Sequence, residues 1–295
     1  MNAFLRLLEG DQTLIADGAT GTNLQHAGLA PGAHTEEWVI DRPSQILELE
    51  RAFIGAGADI ILTCTFGATA IRMHGSKYDN RIEELNQTAA LIAREAAGRK
   101  GDILVAGSMG PLGKLLKPYG PITRDQAVAA FAEQARGLCA GGVDLLIVET
   151  QFSLDEARAA LEAAQSVCDL PVVVSFSYDQ GTRTMMGLQP EVAARTFGEL
   201  GAAMIGVNCG TTLDNALAVV QDYARTDPSL PIWVKPNAGL PRLEGSIAKY
   251  DVAPDQMGAF ARQAVRHGAR VIGGCCGTTP EHLRAISQAA REATK

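Results

Sequence analysis

Short apolar runs rich in valine and isoleucine alternate along almost the whole chain with longer amphipathic segments built from helix formers. The runs fall at 14–17, 59–65, 103–108, 145–149, 171–176, 203–208, 232–235 and 270–273, which makes eight expected strands. Helical patterns occupy 43–57, 81–97, 123–140, 154–166, 190–200, 213–225, 254–267 and 280–293. Several carry start signals: Thr123 with Gln126 three positions on, and Thr279-Pro280-Glu281, which puts proline and an acid in a first turn. Gly141-Gly142 and Gly201 fit helix C-terminal positions. Strand followed by helix, eight times over, predicts a parallel α/β sheet with right-handed crossovers. Its simplest closure is a (β/α)8 TIM barrel, one domain over 1–295. The rival is an open doubly wound sheet, but its Gly-x-Gly-x-x-Gly nucleotide fingerprint is missing. Segments 27–38 and 240–250 read as irregular loops after the first and seventh strands.

Length and composition agree with that frame. The chain has 295 residues, 46% of them hydrophobic, where a barrel of this class needs about 250. A net charge of −7 and a pI near 5.3, with acids and bases interspersed, leave no basic stripe for nucleic acid or an anionic membrane. Small molecules or proteins are the expected partners. The amino terminus lacks the apolar core of a signal peptide, and no run approaches the roughly 18 apolar residues of a spanning helix, so a cytoplasmic protein is expected. In that compartment six cysteines are metal ligands, catalytic groups or buried thiols rather than disulfides. Cys64, Cys139 and Cys168 stand in no motif and read as structural.

Barrel chemistry sits at the C-terminal ends of the strands. Asp17 ends the first strand, and Thr63, Thr65 and Phe66 end the second. Ser108 ends the third, Glu149 the fourth, and Asn208 and Cys209 the sixth. Asn237 follows the seventh, and Cys275 and Cys276 end the eighth. Closure makes strand eight a neighbour of strands seven and one, so Cys209, Asn237, Cys275 and Cys276 can surround one point. Three thiolates suit a soft metal with an open fourth position, and that position suits a thiol substrate. The spacing is not that of a zinc knuckle, and the competing reading is small buried thiols. Lys235 on strand seven raises a second enzyme reading, a Schiff-base aldolase, against which Pro236 and the neighbouring thiols argue. His34 and His74 have no partner spacing and read as solvated.

Taken in order, several motifs resemble the zinc-dependent homocysteine S-methyltransferases. They are Asp17-Gly18-Ala19-Thr20-Gly21-Thr22, Thr63-Cys64-Thr65-Phe66, Val148-Glu149-Thr150, Gly206-Val207-Asn208-Cys209, Pro236-Asn237-Ala238-Gly239 and Gly273-Gly274-Cys275-Cys276-Gly277. Pro236-Asn237-Ala238-Gly239 and Gly277-Thr278-Thr279-Pro280 are most similar to the homocysteine-binding module of cobalamin-dependent methionine synthase. The resemblance implies Zn2+ on Cys209, Cys275 and Cys276, with the Asn237 side chain as a candidate fourth ligand in the resting state. It also implies homocysteine as substrate, activated as a thiolate with no other catalytic residue, and methionine as product. Glu149 would grip the substrate ammonium by a charge-assisted hydrogen bond. Asp17, Gly18 through its backbone N–H, Thr65, Phe66 and Asn208 would complete the amino-acid pocket. The plainer reading of Glu149 and Asp17 is strand-end carboxylates that cap the next helix. For the methyl donor the resemblance points first to a separate methylated corrinoid protein and second to S-methylmethionine, betaine or another onium compound, with no aromatic cage evident for a quaternary ammonium. Folate, cobalamin and activation modules are not expected within these residues. A non-catalytic zinc scaffold that docks a corrinoid protein is the third reading.

Overall fold

The structure, a computed structural model, describes residues 2–99, 101–244 and 247–294. In chain order the strands are β1 (Leu14–Ile15), β2 (Ile60–Leu62), β3 (Leu104–Met109), β4 (Leu145–Gln151), β5 (Val172–Phe176), β6 (Met204–Cys209), β7 (Ile232–Pro236), β8 (Arg242–Glu244), β9 (Ile247–Lys249) and β10 (Ala269–Ile272). Eight of them form one parallel sheet in the order β1-β10-β7-β6-β5-β4-β3-β2. The outer members of that order meet as well. Ala16 bridges Ile60, the Asp17 N–H donates to Ile60 O at 2.9 Å, and the Asp59 N–H donates to Ile15 O at 2.7 Å. The sheet therefore closes as the expected (β/α)8 barrel, which rules out an open doubly wound sheet.

Alternation explains why the strands read as unbroken apolar runs. Leu14, Ile60, Leu104, Ala106, Leu145, Ile147, Val173, Met204, Trp233 and Val271 fill the barrel interior. The residues between them, such as Val105, Leu146, Val174, Ile205 and Val234, belong to the larger cluster shared with the helices. Both faces of each of the eight barrel strands are thus buried, as in other all-parallel sheets. The same period of two carries each interior row upward to a polar side chain at the rim: Ser108 above Ala106, Glu149 above Ile147, Ser175 above Val173 and Lys235 above Trp233.

Helices Pro43–Gly55, Ile82–Ala97, Arg124–Ala140, Leu154–Val167, Pro190–Glu199, Leu213–Thr226, Pro254–Arg266 and Pro280–Ala293 follow the predicted pattern. The capping box at Thr123 forms, with Gln126 N–H donating to Thr123 Oγ1 at 3.2 Å and Thr123 N–H to Gln126 Oε1 at 2.9 Å.

Four expectations change. β1 and β2 are shorter than the runs 14–17 and 59–65, because side chains replace the ladder at the rim: Leu62 N–H donates to Asp17 Oδ2 at 2.7 Å and Ser108 N–H to Thr63 Oγ1 at 3.0 Å. Segment 27–38 is not wholly irregular, since it ends in a 3-10 turn, Thr35–Glu37, leading into the short helix Trp38–Asp41. Segment 240–250 holds the antiparallel pair β8 and β9. Helix Ala3–Glu9 was not foreseen. It is capped by Asn2 and inserts fully buried Phe4 into the barrel interior, a burial contributing about 1.5–3 kcal/mol. Among the described residues no helix is long and apolar enough to cross a membrane.

Candidate active site

The ends of β6 and β10 bring the remote thiols together. Cys209 Sγ lies 2.9 Å from Cys275 Sγ, and the sulfurs of Cys209, Cys275 and Cys276 all fall within 4.8 Å of one another. The backbone after β7 laces the two ends in place. Cys275 N–H donates to Pro236 O at 2.8 Å, Asn237 N–H to Cys209 O at 3.4 Å, and Ala238 N–H to Cys276 O at 2.9 Å. The expected convergence of three sulfurs is therefore present.

Strain concentrates here. Among the described residues two non-glycine positions have positive φ, Thr150 at 58° and Cys209 at 54°, and both lie at this rim. A branched residue held there costs about 1–3 kcal/mol and persists only where its surroundings over-determine it.

The three sulfurs cannot titrate separately. Hydrogen bonding to Cys209 and then to Cys275 pushes the Cys276 thiol down, while the same contacts, with burial, push Cys209 well up. Three sulfurs this close together are a soft donor set. Asn237 Oδ1 is buried with no hydrogen-bond partner, although its Nδ2 donates to Gly210 O at 3.0 Å. An unpaired buried carbonyl costs about 1–3 kcal/mol, so a cation beside it would satisfy an existing deficit. The residues present fit a metal ion.

Beneath the thiols lies a charged floor. Glu149, 6% exposed, accepts from Ser108 Oγ at 2.5 Å and from Asn208 Nδ2 at 3.5 Å. Burial pushes its carboxyl up to about 7, partly offset by the Lys235 ammonium. Lys235 donates to Asp17 Oδ1, and both side chains are 3% exposed. Burial works against the Lys235 ammonium, but Asp17 and then Glu149 outweigh it and raise the lysine above its ordinary value. An amine held as an ammonium is no nucleophile, which argues against the Schiff-base aldolase.

A cavity of roughly 350 Å3 opens above this floor. Gly18, Thr65, Phe66 and Glu149 line it, as do the three cysteines. Two expected pocket residues are placed differently. Asp17 spends its carboxylate on Leu62 N–H and Lys235, and fully buried Asn208 spends its amide on Thr150 and Ser175, so both stand behind the wall. Neither Asp17 nor Glu149 caps the helix that follows it, whose N-caps are Thr20 and Ser153. Sequence reasoning missed Thr150 and Tyr250, which also line the cavity, and gave Lys235 no part in the floor. The Tyr250 ring packs so closely on Gly277 that a Cβ there would sit 2.2 Å from Tyr250 Cγ, and Gly277 has φ of 80°. His34 and His74 do not line the cavity.

The sequence profile of the homocysteine S-methyltransferases matches residues 14–290. The chain belongs to that family. A methionine synthase of Mycobacterium leprae (strain TN) is 32% identical over 297 residues, covering 94% of this chain and 24% of that protein, so the chain spans about a quarter of this relative. The metallated form of the homocysteine methyltransferase MmuM from Escherichia coli superposes with a TM-score of 0.81 at 25% identity, covering 97% of this chain and 99% of that one. A methyltransferase from Methanosarcina mazei, 14% identical with a TM-score of 0.64 over 98% of this chain and 97% of its own, shares the fold alone. The family's reaction is methyl transfer to the homocysteine sulfur. The rim of this chain places three sulfurs and a buried carboxylate, Glu149, in one cavity.

Proposed function

We propose that Cys209, Cys275 and Cys276 hold Zn2+, with Asn237 as resting fourth ligand, and that the chain converts homocysteine to methionine using a separate methylated corrinoid protein as donor. The observation that carries this reading is the meeting of three sulfurs beside a buried carboxylate in one cavity. A zinc ion held there would supply Lewis acidity, which lowers the pKa of a coordinated thiol so that no strong protein base would be needed. The protein's own groups do the rest. Glu149 receives the substrate ammonium, Ser108 holds the Glu149 carboxylate from below, and the Asp17–Lys235 pair keeps a positive charge under it. The backbone at Gly18, together with Thr65 and Phe66, closes the walls around the amino acid.

Onium donors are the second reading. Phe66 has the Arg72 guanidinium 5.0 Å above its ring, so that ring is already engaged and Tyr250 alone is left to meet a quaternary ammonium. The barrel over 1–295 acts in this reading as one homocysteine-binding domain. It belongs in the cytoplasm, where reducing conditions keep the thiols available to a metal. The test is to incubate the purified zinc form with homocysteine and each donor in turn, with and without a methylated corrinoid protein, and to measure methionine. Methionine formed with the corrinoid protein supports the proposal, and methionine with an onium donor alone moves the donor assignment. No methylation of homocysteine by any donor leaves the scaffold reading in its place.

Glu149→Gln tests the ammonium grip. A hydrogen bond to a charged group contributes about 1.5–3 kcal/mol, so kcat/KM for homocysteine should fall about ten- to a hundredfold. Zinc content should not change, and 4-mercaptobutanoate, which lacks the amine, should not distinguish the variant from the parent. The raised carboxyl value also sets the sign of the pH effect. Glu149 is a carboxylate above its value and neutral below it, so parent kcat/KM declines as pH falls through a midpoint at or below about 7. The Gln variant should lack that limb. Equal kcat/KM for parent and variant would remove Glu149 from the pocket.

A further inference from the structure

The fourth barrel strand contains one residue too many. Its pairing with β5 steps from Val148↔Val174 to Gln151↔Phe176, so Glu149 and Thr150 together face Ser175. A bulge of this kind bends the strand and re-aims its side chains, and it frees backbone groups from the ladder. Here Thr150 takes the left-handed conformation, with φ of 58°. The Glu149 carbonyl accepts from Gln151 Nε2 at 3.4 Å, and the Thr150 N–H turns to the Asn208 side chain. Its Oδ1 accepts from Thr150 N–H at 2.9 Å and from Ser175 Oγ at 2.6 Å. Its Nδ2 donates to Thr150 Oγ1 at 2.6 Å and approaches Glu149 Oε2 at 3.5 Å and Cys209 Sγ at 3.7 Å. β4 and β6 are not neighbours in the sheet, so this amide reaches across β5 to join them. Asn208 is fully buried and does not line the cavity.

We propose that Asn208 is a positioning residue for methyl transfer: its amide locks Thr150 in the bulge and so fixes the ammonium-binding Glu149 relative to the metal-binding Cys209. The inference rests on the functional reading above, and goes beyond it by giving Asn208 a role without substrate contact.

Glycine adopts the Thr150 conformation without steric penalty, which makes Thr150→Gly a suppressor. The experiment compares the parent with Asn208→Ala, Thr150→Gly and the double variant. It uses two readouts: kcat/KM for homocysteine in the zinc form, and cobalt(II) affinity of the metal-free protein from its thiolate-to-metal charge-transfer absorption. Asn208→Ala should lose about 100-fold in kcat/KM, the scale of a misplacement near 1 Å. Its cobalt affinity should fall about 10- to 100-fold, the range seen when support behind a ligand is removed. Adding Thr150→Gly should recover at least about tenfold in both, since the strain that Asn208 held in check is gone. An undiminished Asn208→Ala variant, or losses that glycine does not recover, would overturn the proposal. Should Asn208→Ala fail to fold by circular dichroism, folding of the double variant supports the lock and its failure contradicts it. A parent that methylates no thiol sinks the functional reading instead, and the cobalt titration still decides whether Asn208 acts through Thr150.

Discussion

Cys275→Ala should emerge from purification with less than about a tenth of an equivalent of zinc and with methyl transfer to homocysteine down at least a thousandfold, the rate equivalent of the several kcal/mol a Lewis-acidic metal supplies. Cys275 is the pivot of the thiol group. Its sulfur lies 2.9 Å from that of Cys209, and its N–H is fixed to Pro236 O at 2.8 Å. Without it only the Cys209 and Cys276 sulfurs remain of the group, and zinc in a catalytic site typically needs three protein ligands. Metal analysis and a methionine assay on the same preparation read both losses. Cys139→Ala is the control, since Cys139 sits near the C-terminal end of helix Arg124–Ala140 and outside the thiol group. Parent-like zinc and activity in Cys275→Ala would refute the assignment of the metal site.

Lys235→Met should lower the unfolding free energy by about 3–5 kcal/mol, because it strands the Asp17 carboxylate without its partner where both side chains are only 3% exposed. The size of the loss reflects an uncompensated buried charge rather than the net worth of the pair. Asp17→Asn combined with Lys235→Met removes both charges and should recover most of the stability, since a neutral amide can still accept from Leu62 N–H where Asp17 Oδ2 does now. Urea unfolding of the parent, the single variant and the double variant measures both effects. A loss under about 1 kcal/mol in the single variant would show that water reaches the pair, as for an exposed ion pair.

Much of this molecule was legible in its residues, and the parts that were not share a cause. Strand and helix alternation exposed the barrel because each barrel strand is buried on two faces, and closure then explained how Cys209 could meet Cys275 from 66 positions away. Glu149 and Lys235 continue interior rows with a period of two, so their inward direction also follows from the strands. The family resemblance puts Asp17 and Asn208 in the substrate pocket, but it carries no information on which way a strand-end side chain turns. Whether a rim side chain meets a ligand or a neighbouring backbone depends on bulges and irregular pairings, here the shift at Glu149–Thr150 and the short β1 and β2. No periodic pattern reports those. Helix Ala3–Glu9, at seven residues, is too short for periodicity to reveal. Tyr250 follows β9, and its place against Gly277 depends on how that hairpin folds back over the rim.

In the proposed function three protein sulfurs hold one metal ion, which accepts a fourth sulfur from homocysteine. X-ray absorption at the zinc edge, recorded on the zinc-loaded protein before and after saturation with homocysteine, counts those sulfurs directly. The account predicts three sulfurs and one lighter ligand at rest, becoming four sulfurs at about 2.3 Å when substrate binds. A sulfur count that stays unchanged on adding homocysteine, or one below three at rest, would contradict it.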